Sequence, residues 1–156
     1  MIVYNDIKRQ FVNDVKDNSI ADKILEAIKM RGLNAGHEKE YSSWQNSMQF
    51  MRNIVDDSDI DDEVRICIEY NIPLTSKRVD FIIAGADNYG KDNIVIVELK
   101  QWQKAEVVAD DMHYCVRTYV ANSDRIVCHP SYQAYSYSCF LRNYSQSLTD
   151  EDISLI

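Results

Sequence analysis

Hydrophobic residues first recur at helical spacing in Ile20, Ile24, Leu25 and Ile28, behind Asn18-Ser19 and ahead of Gly32. This is the pattern of an amphipathic helix with a polar N-terminal cap and a glycine stop. Trp44, Ser47, Met48, Met51, Ile54 and Val55 predict a second helix, and if it begins early enough Glu40 shares its inward stripe with Trp44 and Met48. The period then falls from about 3.6 to about 2. Val64, Ile66, Ile68, Tyr70 and Ile72 alternate with Arg65, Cys67, Glu69 and Asn71, which reads as a half-buried strand closed by Pro73. A second strand covers 78–84 and ends at Gly85. After the turn-rich segment 88–93, the unbroken apolar run Ile94-Val95-Ile96-Val97 predicts a central strand covered on both faces. A hairpin follows, Cys115–Val120 and Arg125–Cys128, turning at 121–124. His129-Pro130-Ser131 opens a last helix, with Pro in its first turn and a stripe of Tyr137, Phe140, Leu141 and Tyr144. The order α, α, β, β, β, hairpin, α predicts an α/β or α+β domain on a mixed sheet flanked by helices.

The chain has 156 residues, enough for one domain with its own core, and its composition is that of a globular protein. No apolar run approaches the roughly 18–20 residues of a membrane span and no signal-peptide core is present, so a cytoplasmic protein without membrane contact is expected. Four cysteines without C-x-x-C spacing predict buried free thiols. His37, His113 and His129 share no spacing that builds a metal site, though His129 stands where it can cap the last helix or line a cleft.

The formal charge of −8 is concentrated: residues 56–63 hold six acids, and the remainder of the chain carries −2. Asp57, Asp59 and Asp61 alternate like calcium-loop ligands. Asp62, however, stands where such a loop needs glycine, and Ile68 where it needs glutamate, so the segment reads as a solvated acidic loop.

Three charges stand where strands should be apolar: Asp80 within the second strand, and Glu98 and Lys100 at the end of the apolar one. Period-2 geometry puts Glu98 and Lys100 on one face, about 6.5–7 Å apart. Buried charges are costly unless paired or bound to an ion. Carboxylates on adjacent strands can hold a hard cation such as Mg²⁺, and a neighbouring ammonium can orient a water or offset charge on a phosphate. An ion pair capping the sheet end is the plainer alternative.

Asp80 with Glu98-Leu99-Lys100 resembles the PD-(D/E)xK nuclease superfamily. Gln133 and Tyr137, a Q-x-x-x-Y pair on one helix face, are similar to the pair found in its RecB-like exonucleases, and Glu40 occupies the place of an acid from the first core helix. The stretches 43–47, 72–81, 97–102 and 129–134 are similar to the nuclease-like domain that precedes a P-loop helicase domain in bacterial nuclease–helicase fusions. The resemblance implies a restriction-endonuclease-like core and phosphodiester hydrolysis with Mg²⁺ or Mn²⁺. Asp80, Glu98 and the Leu99 carbonyl would be metal ligands, with Glu40 completing the site. Lys100 would position water, Gln133 would hold the network or a phosphate, and Tyr137 would pack beside it. Glu40 also reads as an ordinary first-turn acid; Glu38, two residues away, falls on a different helix face, and Glu69 on the first strand is a further candidate for the acidic site. Lys77, Arg78 and Lys104 flank the site as candidate phosphate contacts. Nucleic acid, DNA ahead of RNA, is the expected substrate, and a helicase domain in the same or a partner chain the expected neighbour.

That superfamily's core continues with another strand after the Q-x-x-x-Y helix, and here only 145–156 follow, with 153–156 barely a strand. The chain is therefore expected to be one nuclease-like domain, 1–156, forming the N-terminal part of a longer protein or a short stand-alone relative. An incomplete last strand would leave a sheet edge open to pairing, including in a homodimer. A catalytically idle nuclease-like module that binds nucleic acid or protein is the competing expectation, supported by the acidic balance. Protein binding through a tyrosine-rich surface is a third.

Overall fold

A computed structural model describes residues 1–32, 38–108, 112–144 and 153–156. The chain is α+β. In order it forms β1 (Ile2–Ile7), α1 (Lys8–Lys16), α2 (Ile20–Met30), α3 (Glu38–Val55), β2 (Arg65–Asn71), β3 (Arg78–Ala86), β4 (Asp92–Val97), β5 (Ala105–Val107), β6 (Cys115–Val120), β7 (Ser123–Cys128), α4 (Pro130–Tyr144) and β8 (Ser154–Leu155). The main sheet is mixed, with order β1-β2-β3-β4-β8: the first four strands are antiparallel to their neighbours and β8 runs parallel to β4. β5, β6 and β7 form a separate antiparallel sheet. His37, residues 145–152 and the side chains of Glu38 and Tyr144 lie outside the described residues.

Helices cover both faces of the main sheet. On one, Phe11 and Val15 of α1, Ile20 and Ile24 of α2, and Trp44, Met48, Met51 and Val55 of α3 pack with Ile66, Ile68 and Phe81. On the other, Tyr137 and Leu141 of α4 pack with Cys67, Ile72, Val79, Ile82, Ile96 and Leu155.

Several expectations are corrected by this arrangement. β1 and α1 precede the first expected helix. Their signals, Ile2-Val3-Tyr4 and then Phe11, Val12 and Val15, lacked a cap residue between them: Ile7 holds the N-cap position without a side-chain bond. The acidic loop caps α1 instead. Lys8 and Arg9 donate their backbone N–H groups to the Val64 and Asp62 carbonyls, at 2.8 and 3.1 Å. The Lys8 ammonium, on a residue only 4% exposed, bonds the carbonyls of Asp57 and Ile60 and pairs with Asp62. Asp57 and Asp61 accept N–H groups of Asp59 and Glu63 within the loop. Ser19 does not cap α2 with its side chain but bonds back to the Asp14 carbonyl.

The apolar run 94–97 is β4, not the central strand. β3 holds the centre, β4 is flanked outward by only two residues of β8, and of its residues only Ile96 is fully buried. β3 runs through Gly85 to Ala86, because a side chain there would meet Val64 Cγ1 at 2.8 Å and only glycine passes. The hairpin turn is the two-residue Ala121-Asn122, both at positive φ, which matches the twist of its strands. Ile54 is exposed, and of the four free cysteines only Cys67 is buried.

β2 departs most from simple alternation. Ile66 and Ile68 face the α1–α3 side, whereas Tyr70 and Ile72 pack on the α4 side. The switch occurs at Glu69, whose backbone is left-handed with φ 57°. A glutamate rarely adopts that conformation without structural support.

Among the described residues no helix is long and apolar enough to cross a membrane.

Candidate functional site

Asp80 precedes Phe81, whose partner in β4 is Val97, so the register leads Asp80 toward Glu98, immediately beyond the last residue of β4. Glu98, Leu99 and Lys100 leave the strand as an extended segment. Asp80 Oδ2 accepts the Leu99 backbone N–H at 2.9 Å, which ties the end of β4 to β3. Gln101 Nε2 ties the same segment to α3, donating to the Ser43 carbonyl at 3.0 Å and to Ser47 Oγ at 3.1 Å.

Glu98 is the centre of the cluster. Its side chain is 3% exposed, against 26% for Lys100. One carboxylate oxygen, Oε1, accepts from Gln133 Nε2 at 2.6 Å and from the Lys100 ammonium. The other, Oε2, is buried and, among the described residues, receives no hydrogen bond from a donor. Burial pushes the Glu98 carboxyl above its ordinary range; Lys100 pulls it back, and Asp80 pushes it up again through its charge and hydrogen-bond contact. Two carboxylates are thus held together with fewer positive partners than their charge demands.

The last helix braces this arrangement. His129 caps it, its carbonyl accepting the Gln133 N–H at 3.0 Å and its Nδ1 the Ser131 N–H at 3.1 Å. One turn spaces Gln133 from Tyr137, and Gln133 Nε2 reaches the Tyr137 hydroxyl at 2.6 Å as well as Glu98. Burial first, then the Glu98 and Asp80 charges, raise the Tyr137 phenol, while the Gln133 bond lowers it, so the hydroxyl stays protonated at neutral pH.

Asp80, Glu98, Lys100, Gln133 and Tyr137 therefore come together, with Leu99 contributing backbone. Glu40 lies on the Trp44–Met48 stripe of α3 and lines a small cavity of ≈ 180 Å³ with Trp44, Glu69, Arg78, Asp80 and Lys100. Its carboxylate is 3.6 Å from Arg78 Nη2, and Arg78 Nε pairs with Glu69. Glu69, turned to this side by its left-handed backbone, also accepts the Trp44 indole N–H at 2.7 Å. Burial raises its carboxyl, against the lowering influence of Arg78 and Trp44. Arg78 is thus engaged by two acids. Lys77 Nζ sits over the Phe140 and Tyr137 rings, at 4.7 and 5.8 Å from their centroids. Lys104 pairs with Glu106 at the exposed margin of the second sheet.

Gln101 had no role in the sequence reading. Its signal was the serine pair Ser43 and Ser47, one helical turn apart, opposite a polar residue just after the E-x-K. The full engagement of Glu69 had no local signal, because it depends on a backbone reversal inside a strand.

Among the described residues no three His, Cys, Asp or Glu side chains are grouped to hold a metal ion. The Asp80–Glu98 pair fits a different demand. A hard cation that keeps several waters needs only one or two carboxylates, and the unpartnered Glu98 Oε2 is a buried oxygen that such an ion would satisfy.

No family model, no curated protein and no solved structure matches the chain.

Proposed function

We propose that the chain is a metal-dependent phosphodiesterase domain that hydrolyses nucleic acid at the Asp80–Glu98–Lys100 cluster. The observation that carries this reading is the state of Glu98: one oxygen held by Gln133 and Lys100, the other buried and unbonded beside a second carboxylate. A purely structural ion pair has no need for the second acid. The helix before β2, the antiparallel β2-β3-β4 with β8 parallel to β4, and the helix after the E-x-K segment also suit a restriction-endonuclease-like core.

Asp80 and Glu98 would hold Mg²⁺ or Mn²⁺, with the Leu99 carbonyl as a third ligand. The ion, when bound, supplies Lewis-acid stabilisation of the phosphate and a more acidic water. Lys100, at the exposed end of the segment, places a positive charge where negative charge develops on a phosphate. Gln133 fixes the Glu98 carboxylate so that its free oxygen points away from α4's amide. Asp80 is held in place through one oxygen by the Leu99 N–H.

A second reading rests on Glu40. Its pairing with Arg78 leaves two carboxylates, not three, at the cluster, which favours a catalytically idle nuclease-like module beside a helicase.

Incubation with single- and double-stranded DNA and RNA in Mg²⁺ or Mn²⁺ separates the two. Metal-dependent cleavage that disappears in both Asp80→Asn and Lys100→Ala supports the enzyme. Equal cleavage by the variants marks a contaminant, and no cleavage of any substrate favours the idle module.

A further inference from the structure

Glu98 also lines a larger groove of ≈ 580 Å³ between β4, β8 and α4, on the other side of the cluster from Glu40. Ser131 and Tyr135 line this groove and also the adjoining hollow of ≈ 500 Å³, whose remaining walls are His113, Tyr114, His129 and Tyr132. The hollow is made of rings. Tyr114 and Tyr132 stack with centroids 4.4 Å apart and planes 34° apart, and Tyr135 follows Tyr132 at 6.2 Å and 35°. All three remain open to solvent, at 61%, 40% and 63% exposure. The sequence stripe 137, 140, 141 turns into the core, so helical packing does not account for Tyr132 and Tyr135, which project from a different face of α4.

Exposed rings in a tilted, successive series are a surface for flat aromatic partners. Charge points the same way. Among the described residues lining the groove and the hollow, Glu98 is the only acid, in a chain whose net charge is −8. Arg142 lines the groove, and two histidines line the hollow. The described lining, with Arg142 and a single side-chain carboxylate, is less negative than the chain as a whole, which favours it for an anionic ligand. Duplex DNA hides its base faces, whereas a single strand presents them to stacking side chains.

Resting on the proposed function, we propose that Tyr114, Tyr132 and Tyr135 form a stacking platform that receives the unpaired bases of a single DNA strand and leads it along the α4 groove toward Glu98. Ring faces stack on the bases of DNA and RNA alike, so oligo-U is the comparison that tests the choice of DNA.

The test measures binding without cleavage, by fluorescence anisotropy of a labelled oligo-dT in EDTA with the full chain. Three comparison probes are the matching duplex, an abasic strand of equal length and an oligo-U. The expected result is that oligo-dT binds more tightly than the duplex and the abasic strand, and at least as tightly as oligo-U. Tyr132→Ala/Tyr135→Ala should weaken it by about tenfold or more, and Tyr132→Phe/Tyr135→Phe should retain it. An abasic strand or duplex binding as well as oligo-dT, oligo-U binding better, absent oligo-dT binding, or an unchanged affinity in the folded Ala variant overturns the platform. The abasic comparison needs no variant, so a folding defect cannot mask the answer. Metal-dependent cleavage is scored separately, so failure of the platform leaves the catalytic reading to its own test.

Discussion

Gln133 donates from one amide nitrogen to both Glu98 and Tyr137, at 2.6 Å each, so the last helix and the end of β4 meet at a single group. The geometry makes Gln133 a positioning residue. It touches a carboxylate, not the reacting phosphate, and its effect passes through the placement of Glu98.

Removing that amide should therefore slow cleavage without unfolding the chain. Gln133→Ala is expected to lower the single-turnover rate about 10–100-fold, the usual effect of losing a group that orients a metal-binding residue. Tyr137→Phe keeps the Glu98 bond and should cost less. Circular dichroism of both variants should match the parent. A Gln133→Ala enzyme with the parental rate contradicts this role.

The pH dependence of stability follows from the two buried glutamates. Burial raises the carboxyl pKa of Glu98 and Glu69 above the ordinary 4.5. A raised carboxyl pKa means that the folded chain holds its proton more tightly than the unfolded chain does. The stability from this source is complete below 4.5 and is lost as the pH rises through the folded-state values. In EDTA, Glu98→Gln should therefore melt increasingly above the parent as the pH climbs toward neutrality. At about pH 4, where the parent's Glu98 is already protonated, the difference should be small. A difference that is constant from acid to neutral pH counts against a raised Glu98.

Lys8 provides a test of the fold away from the cluster. Its buried ammonium meets the Asp57 and Ile60 carbonyls and the Asp62 carboxylate. Lys8→Met leaves those carbonyls without their donor and should lower the unfolding free energy by about 2–4 kcal/mol in urea. Asp62, 59% exposed at its side chain, should cost less than about 1 kcal/mol as Asp62→Asn. Equal losses at both positions would show that the loop is held by the surface ion pair alone.

Much of this architecture was legible in periodicity. α2, α3 and α4 stand where apolar spacing puts them, because each buries one stripe, and the hairpin is placed by its Ala121-Asn122 turn, since β7 is largely exposed. β1 and α1 were not, since the backbone carbonyls of the acidic loop cap α1 and no side-chain cap marks its start. The run 94–97 looked central because all four residues are apolar. Its actual place near the sheet edge follows from β1, which pairs with β2 on the far side, and from β8, which covers it with only two residues. Within the cluster, Asp80, Glu98 and Lys100 were legible as charges out of place in strands. The partnership of Glu40 and Glu69 with Arg78 was not, because it requires the left-handed backbone at Glu69.

Titration of the chain with Mn²⁺ by calorimetry tests the central claim most directly. Asp80 and Glu98 acting as a pair predict one bound ion in the parent, with affinity reduced at least about tenfold in both Asp80→Asn and Glu98→Gln while the fold is retained. A parent that binds no Mn²⁺, or variants that bind it as tightly as the parent, would contradict the account.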